Sequence, residues 1–491
     1  MKSNINKKTI LSGLLSLLLL ASACNKALDI NQDPNNPSLD QGNPRLVFPA
    51  AVMATAGMEG GDIAILGGIW GEYVTQSALA NQYKNIDAYD VKSTDLNAQY
   101  SGLFTGGLKN YQFVIDKARD AQDWNFYLMA EVMKAYTAGL LVDLYDKIPY
   151  TEALGGSSNL NPQFDNGDAI YTDLIAGIDS ALTKDFTASS NSVPGTSDLI
   201  FSGDMDKWKR FANTMELKLY LRMVNANAAA AQAGIQKLYS NGAEFLESDA
   251  GVFGFTDVPG QDNPLYEQNI RQLNTPNNLR ASRTFVSWLE ANNDPRIVSF
   301  FGTNSPNSIH QGDYLGTDPS YQSAAVFVQA PTDPVIFISA AESYFLQAEA
   351  RERYFSGDQA ASLYNQGVIA AFAAVGQDGS SFVTGAYKYP TGGSFDQKIQ
   401  AISTQKWASF AYGVNFIEGF LEKQRTGYPR TSPVYSTDNS YVPGEFVVSK
   451  NSVLPPGALP RRLQYPDVEV SRNSNTPELI PITTPVWWAK P

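Results

Sequence analysis

Residues 128–145 read LMAEVMKAYTAGLLVDLY, a stretch in which apolar and small residues predominate. Within it, apolar or small side chains recur at spacings of three and four, at Leu128, Val132, Ala135 and Gly139. This spacing places them on one stripe of a helix, and the small residues allow a neighbouring helix to approach closely. The stretch therefore predicts a long helix packed inside a helical protein.

The same helical spacing continues on both sides of this stretch. Residues 100–115 predict a preceding helix, and the break at 120–125 joins the two as an antiparallel hairpin. Further helical patterns cover 169–182, 208–224, 228–239, 339–354, 359–374 and 395–410. Only the short runs at 335–338 and 445–448 have strand-like composition. The predicted fold class is mainly α, with few short strands.

One helix pair fits a known repeat template. The tetratricopeptide spacing of aromatic and small residues is satisfied at five positions, although positions 347 and 351 do not fit. The five positions are Tyr344, Ala348, Ala360, Tyr364 and Gly367. Several helix pairs in one chain favour a tetratricopeptide-like scaffold of stacked hairpins.

Two long stretches interrupt the helices. Residues 251–279 and 302–333 are crowded with Gly, Pro, Asn, Asp and Ser, and they are too long to be ordinary connections. Long ordered loops often carry function. We therefore expect a loop-rich, ligand-binding lobe at about 251–333, embedded in a single domain over 45–491 with a coil-rich C-terminal segment.

The first 24 residues have the pattern of an exported lipoprotein. A basic start is followed by an apolar run at 10–20, which is shorter than the roughly 20 residues of a spanning helix. Leu20-Ala21-Ser22-Ala23-Cys24 then resembles a bacterial lipobox, with Ala21 where leucine is commonest. We expect residues 1–23 to be a signal peptide, Cys24 to carry lipid, and 24–44 to be a tether. The alternative is an ordinary cleaved signal with an unmodified Cys24.

Composition narrows the function classes. Cleavage before Cys24 removes three lysines and no acidic residue, so the formal charge changes from −13 to −16. Such an acidic balance argues against nucleic acid and favours a neutral or cationic ligand. His310 is the only histidine and Cys24 the only cysteine, so common zinc and iron sites cannot be assembled. We expect no metal and no cofactor.

Several motifs together resemble the SusD/RagB-like nutrient-binding outer-membrane lipoproteins, in their smaller SusD-like branch. Asp146-Lys147 and Phe420 depart from the usual pattern of the family, which puts in doubt the detail of those turns. The motifs that carry the resemblance are DINQDP at 29–34, KAYTAGLLVDLY at 134–145, IPYTEA at 148–153, DKWKRFANT at 206–214, TQKW at 404–407, RTGYP at 425–429 and LPRRLQYP at 459–466.

The resemblance implies a fold and a function. It implies four tetratricopeptide-like helix pairs, and a surface-exposed, non-enzymatic protein that binds solute, an oligosaccharide or a peptide. It further implies lipid anchoring in the outer membrane, facing the cell exterior, and delivery of the ligand to a SusC-like, TonB-dependent transporter. Two alternatives from other classes remain open: a lipoprotein glycoside hydrolase, which needs two carboxylates in one cleft, and a helical-repeat lipoprotein that binds only protein.

Aromatic residues flanked by amides are the candidate sugar contacts. Ring faces stack on the C–H groups of pyranoses, and amides bond to hydroxyl groups. Three stretches have this composition, although the first could instead be core of the first helix pair. The candidate ligand-binding residues are Trp70, Tyr73, Gln76 and Tyr83, then Tyr266, Asn269 and Arg271, then Tyr314 and Tyr321.

Three arginines in the motifs allow two interpretations. Arg425, Arg461 and Arg462 could contact ligand or transporter. Buried arginines also commonly anchor coil to a helical core through carboxylates and carbonyls. We expect the structural role for all three.

Overall fold

The computed structural model of the protein describes residues 42–154 and 159–490. The predicted signal peptide, the predicted lipidation site Cys24 and nearly all of the predicted tether lie outside these residues. The described chain is mainly helical with few short strands, which confirms the predicted fold class. None of the helices in this part of the chain has the length and apolar character needed to cross a membrane.

The helices fall into two groups along the chain, separated by an irregular stretch after residue 240. The first group is α1 (Pro44–Met58), α2 (Ala64–Trp70), α3 (Lys84–Asp87), α4 (Asn97–Gly102), α5 (Lys109–Ala121), α6 (Trp124–Tyr145), α7 (Gly167–Leu182), α8 (Met205–Arg222) and α9 (Ala228–Ser240). The second group is α10 (Pro264–Tyr266), α11 (Arg283–Ala291), α12 (Arg296–Phe301), α13 (Ala340–Tyr354), α14 (Ala360–Ala373), α15 (Phe395–Ser409), α16 (Phe416–Thr426) and α17 (Asp467–Arg472).

In the described part of the chain the strands form three antiparallel pairs, and two of these pairs join distant segments. The three pairs are β1 (Val74–Gln76) with β5 (Leu279–Ala281), β2 (Lys147–Pro149) with β3 (Phe164–Asn166), and β4 (Ala250–Val252) with β6 (Val335–Ile338). The strand predicted at 335–338 is confirmed as β6. Residues 445–448 do not form the predicted strand, since Phe446 makes only an isolated bridge to Thr431.

Helix α6 lies inside the scaffold. Almost every one of its residues is buried, because α5, α7 and α8 pack around it. This confirms the buried helix and the α5–α6 hairpin predicted from the apolar spacing. The predicted helix over 100–115 is interrupted, since a π-helical turn at Leu103–Leu108 separates α4 from α5.

The predicted tetratricopeptide-like pair is formed by α13 and α14. Ser339 caps α13, its side chain accepting from the Glu342 N–H at 3.0 Å. Ala348, Ala360 and Tyr364 are buried in the pair. A Cβ atom on Gly367 would lie 2.7 Å from the Phe345 ring, so the template's small residue permits close approach of the two helices.

Buried ion pairs tie the scaffold together. The Lys218 ammonium on α8 lies 2.9 Å from Glu342 and 3.1 Å from Glu418. Arg222, one turn later, pairs with Glu418 at 2.6 Å and with Asp143 of α6 at 3.2 Å. Buried charges persist only when paired in this way. The network therefore links α6, α8, α13 and α16.

Two of the three motif arginines have the expected structural role. Arg425 is buried and contacts the carboxylates of Glu349 and Glu422. Arg462 is buried, donates to the Tyr145 carbonyl and lies 3.6 Å from Asp146. Arg461 differs, because no ion pair is found for it among the described residues and its side chain lines a surface cleft.

Candidate functional site

The first predicted stretch leads into a surface loop, residues 77–84. The pairing of β1 with β5 holds this loop against the mid-chain segment. The Ser77 N–H donates to the Asn278 carbonyl at 2.8 Å, and the Gln82 N–H to the Asn278 side-chain oxygen at 3.3 Å. Leu79, Asn81 and Gln82 at the tip are exposed to solvent. The fold thus places apolar and amide side chains at the surface here.

Trp70 and Tyr73 lie behind this loop, in the core. Their exposed fractions are 4% and 0%. The Trp70 indole donates to the Ile86 carbonyl at 3.1 Å, and the Tyr73 hydroxyl to the Trp407 carbonyl at 2.7 Å. The Tyr73 ring also stacks on Trp407, with centroids 5.5 Å apart. This corrects the expectation that the two rings stack on a sugar, because neither offers a free face.

Gln76 and Tyr83 organise the loop from within. The Gln76 amide accepts from the Tyr83 N–H at 2.7 Å and donates to the Ser77 carbonyl at 3.1 Å, so both ends of the amide are used by its own loop. Tyr83 is 5% exposed, and its hydroxyl oxygen has no hydrogen-bond partner among the described residues. Both were predicted as ligand contacts, but burial makes them supports for the loop.

The second predicted stretch begins with a helix cap. The Asn263 side chain accepts from the Leu265 and Tyr266 N–H groups at 2.9 and 3.1 Å. The short α10 then continues into a π-helical turn at Glu267–Arg271. Such turns are rare and often lie at functional sites. Tyr266 is partly exposed.

Arg271 is held by carboxylates and so contributes little free charge. Its guanidinium contacts Asp262 and Asp257, each at 2.5 Å, and Glu267 at 3.4 Å. It also lies over the Tyr266 ring, 5.3 Å from the centroid, which fixes the orientation of that ring. Asn269 is fully buried, so it cannot meet a surface ligand, contrary to the prediction.

The third predicted pair divides in the same way. Tyr314 is partly exposed, with the Lys84 ammonium 5.3 Å from the ring centroid. Tyr321 is 3% exposed and donates to Asp313 at 2.9 Å, so it is a structural residue and not the predicted contact.

Neighbouring residues relate the three stretches to one another. The Gln268 amide, beside Tyr266, donates to Asp62. Burial first, and then the charge of Asp62, raise the pKa of the Tyr83 hydroxyl. Lys84, at the end of the loop, lies over Tyr314. We call the exposed and partly exposed side chains of these stretches, Leu79, Asn81, Gln82, Tyr266, Tyr314 and Leu315, the loop surface.

The structure contains a second aromatic site that was not predicted from the sequence. A groove of about 490 Å³ between α7, α8, α9 and the C-terminal coil is lined by Tyr220 and Trp487, with Thr172 and Asn227. The Trp487 indole nitrogen has no hydrogen-bond partner among the described residues. The adjacent tryptophans at 487–488, in an otherwise proline-rich segment, were the only signal. We call this the Trp487 groove.

Two places in the structure hold side chains that a hydrolase could use: the histidine His310, and a cleft lined by carboxylates. His310 Nδ1 lies 2.7 Å from the Ser436 hydroxyl oxygen. Asp116 and Asp173 line a cleft of about 350 Å³. Both carboxylates are already engaged, Asp116 by Arg119 at 2.8 Å and Asp173 by the Tyr150 hydroxyl at 2.7 Å. Over residues 42–154 and 159–490, no three His, Cys, Asp or Glu side chains are grouped to hold a metal ion.

Comparison with known proteins connects this fold to one family. The SusD-like family model described as "starch-binding associating with outer membrane" matches residues 68–447. None of the curated proteins matches the chain in sequence. Among solved structures, a SusD homologue from Bacteroides uniformis superposes with a TM-score of 0.72 at 21% identity, covering 92% of this chain and 100% of that one.

Two further solved structures agree. A chitin-binding SusD homologue from Flavobacterium johnsoniae has a TM-score of 0.71 at 22% identity, covering 91% of this chain and 97% of that one. A SusD homologue from Bacteroides thetaiotaomicron has a TM-score of 0.70 at 19% identity, covering 91% and 99%. At these identities the structures show a common fold, and the family match extends over most of the sequence. The chain therefore belongs to the SusD-like family of starch-binding proteins associated with the outer membrane.

Proposed function

We propose that this protein is a non-enzymatic binding protein that captures oligosaccharide at the outer membrane, anchored by lipid on Cys24, and passes it to a SusC-like, TonB-dependent transporter. Membership of a starch-binding, outer-membrane family supports the carbohydrate ligand and the location. A chitin-binding relative with the same fold supports it further. The transporter partner and the lipid anchor follow from the family resemblance and the lipobox-like sequence at 20–24.

The loop surface is the observation that carries the proposal. Tyr266 and Tyr314 are partly exposed aromatics, and the exposed amides of Asn81 and Gln82 lie on the loop that ends at Lys84, beside Tyr314. Rings supply flat apolar faces and amides supply donors and acceptors, which is the chemistry of sugar binding. The loop surface also lies wholly within the residues matched by the family, whereas Trp487 does not. We therefore assign the ligand to the loop surface in preference to the Trp487 groove.

The charge at the loop surface suits a neutral sugar. Three carboxylates surround Arg271 and neutralise its charge. Contacts made by ring faces and amides are insensitive to salt, whereas contacts between exposed charges weaken as the Debye length falls to about 10 Å at 0.1 M salt. Affinity for a neutral oligosaccharide at this surface is therefore expected to change little with ionic strength.

Calorimetric titration of the soluble body against neutral oligosaccharides and short peptides tests the ligand class. We expect binding to at least one oligosaccharide, nearly equal at low and high salt. Chromatography of the same mixtures after long incubation should return intact oligosaccharide. Release of shorter sugars that depends on Asp116 or Asp173 would instead favour the glycoside hydrolase, and binding confined to peptides would exclude a carbohydrate ligand.

Replacement of Cys24 tests the anchor. A single acyl chain holds a protein only marginally at a membrane, and stable anchoring takes at least two. The parent protein should therefore remain in the membrane fraction after a high-salt wash, and Cys24→Ala should be released as a folded body. Retention of Cys24→Ala in the washed membranes would contradict lipid anchoring.

A further inference from the structure

A cleft of about 640 Å³ lies between the end of α16 and the C-terminal coil. Four cationic side chains line it, and Thr431 and Thr483 add hydroxyl groups. The four are Lys423, Arg430, Arg461 and Lys490. No aspartate or glutamate is among its described lining residues, although the formal charge of the chain is −13. We call this site the basic cleft.

Three of the four cations have backbone carbonyls as their acceptors. Lys423 donates to the carbonyls of Gly427, at 3.1 Å, and Pro429. Arg461 donates to the Lys490 carbonyl, and Lys490 to the Thr426 carbonyl at 3.3 Å. Arg430, which is more exposed, reaches Asp396 at 3.6 Å. Lys423, Arg461 and Lys490 therefore have backbone carbonyls, and no carboxylate, as hydrogen-bond acceptors among the described residues.

Neither of the two inner cations, Arg461 and Lys423, has a carboxylate as hydrogen-bond acceptor among the described residues. The Arg461 Nε atom is buried and has no acceptor among the described residues. Burial, together with nearby Arg461 and Lys490, lowers the pKa of Lys423 to about 8, against the opposing charges of Glu72 and Glu445. A buried cation without a counter-ion is costly. An anion in the cleft would relieve both groups.

We propose that the basic cleft binds the acidic group of a carbohydrate, a carboxylate or a sulfate ester. This inference rests on the proposed function and adds to the loop surface a second site, which only oligosaccharides with an acidic group would use. The planar guanidinium donors of Arg461 match two oxygens of such a group. The volume falls within the roughly 300–1,000 Å³ of small-ligand pockets, and the threonine hydroxyls can bond to sugar hydroxyls. Lys423 is recessed, which suits a small group entering the cleft better than a flat membrane surface.

Titration of the full mature chain with trigalacturonic acid and with its methyl ester isolates the charge, because the two share one carbon skeleton. We expect the acid to bind about tenfold more tightly than the ester at low salt, the effect of one charge-assisted bond. Arg461→Gln and Lys490→Gln should each remove this preference and leave affinity for the ester unchanged. Lys388→Gln is the control, since Lys388 is an exposed lysine outside the cleft.

Each other outcome has a definite consequence. Equal affinity for acid and ester overturns the inference and leaves the proposed function standing, as does a preference for the acid that survives both cleft variants. The inference is also overturned, in favour of a lipid phosphate, if Arg461→Gln loses binding to phosphatidylglycerol vesicles while its affinity for trigalacturonic acid is unchanged. Absence of binding to every oligosaccharide, neutral or acidic, counts against the proposed function itself.

Discussion

Arg425→Met is expected to lower the free energy of unfolding by about 3 to 5 kcal/mol, the typical loss when one partner of a buried ion pair is removed. Arg425 contacts Glu349 at 2.5 and 2.7 Å and Glu422 at 2.7 and 3.1 Å, and all three residues are buried. Methionine keeps most of the side-chain volume, so the loss reports on charge and not on a cavity.

The pH dependence of this loss provides a second check. Burial opposes ionisation of Glu349, but Arg425 and Arg353 outweigh it and lower the pKa of the carboxyl to about 2. A lowered pKa stabilises the fold above the ordinary value near 4.5 and loses that contribution as the pH falls toward 2. The difference between Arg425→Met and the parent should therefore shrink at low pH. Arg430→Met, an exposed arginine nearby, is the control for denaturant unfolding. A loss below about 1 kcal/mol for Arg425→Met would show that the network contributes no more than exposed pairs do.

The contribution of Glu72 to stability is expected to depend on pH in the opposite sense to that of Glu349: it falls as the pH rises. Glu72→Gln tests this. Glu72 is 1% exposed and accepts from the Thr284 hydroxyl and from the Val447 N–H at 3.0 Å. Burial raises the pKa of Glu72 to about 8, although those bonds and Lys423 oppose the rise. Between the unfolded pKa near 4.5 and pH 8 the folded state holds a proton that the unfolded state has released. The contribution of Glu72 is therefore largest below pH 4.5 and declines as the pH rises to about 8.

Glutamine cannot ionise and keeps an acceptor for Thr284. Relative to the parent, Glu72→Gln should gain stability between pH 5 and pH 9, by at most about 5 kcal/mol for a shift of this size. Denaturant unfolding at pH 5, 7 and 9 measures the change, with the exposed Glu244→Gln as control. An equal pH slope in the parent and in Glu72→Gln would mean that Glu72 is ionised in the fold.

Helix positions could be predicted from the sequence because apolar spacing directly records which face of a helix is buried. The helix expected over 228–239 is Ala228–Ser240, and the one expected over 339–354 is Ala340–Tyr354. Interruptions were not predictable in the same way. A π-helical turn such as Leu103–Leu108 adds a residue to one turn without altering composition, and a strand such as β5 depends on a partner some two hundred residues away.

For the candidate site, the sequence predicted the kinds of residue but not which of them are exposed. Trp70 and Tyr314 were both predicted as ligand contacts, yet only Tyr314 reaches the surface. What separates them is long-range packing, in which Trp70 meets Tyr89 and Phe420. Composition reports which residues could bind a sugar, whereas the fold decides which ring faces stay free. The basic cleft and the Trp487 groove were not predicted from the sequence for the same reason, since each is built from separate segments of the chain.

The most direct test of the central claim is the affinity of a neutral oligosaccharide for the parent, Tyr266→Ala, Tyr314→Ala and Trp487→Ala, measured by calorimetry. Removal of a central aromatic contact typically costs on the order of 2 kcal/mol, about thirtyfold in affinity. We predict that loss for Tyr266→Ala and Tyr314→Ala, with Trp487→Ala near the parent and all melting temperatures similar. Parental affinity in both loop-surface variants, or a loss confined to Trp487→Ala, would contradict the assignment of the ligand to the loop surface.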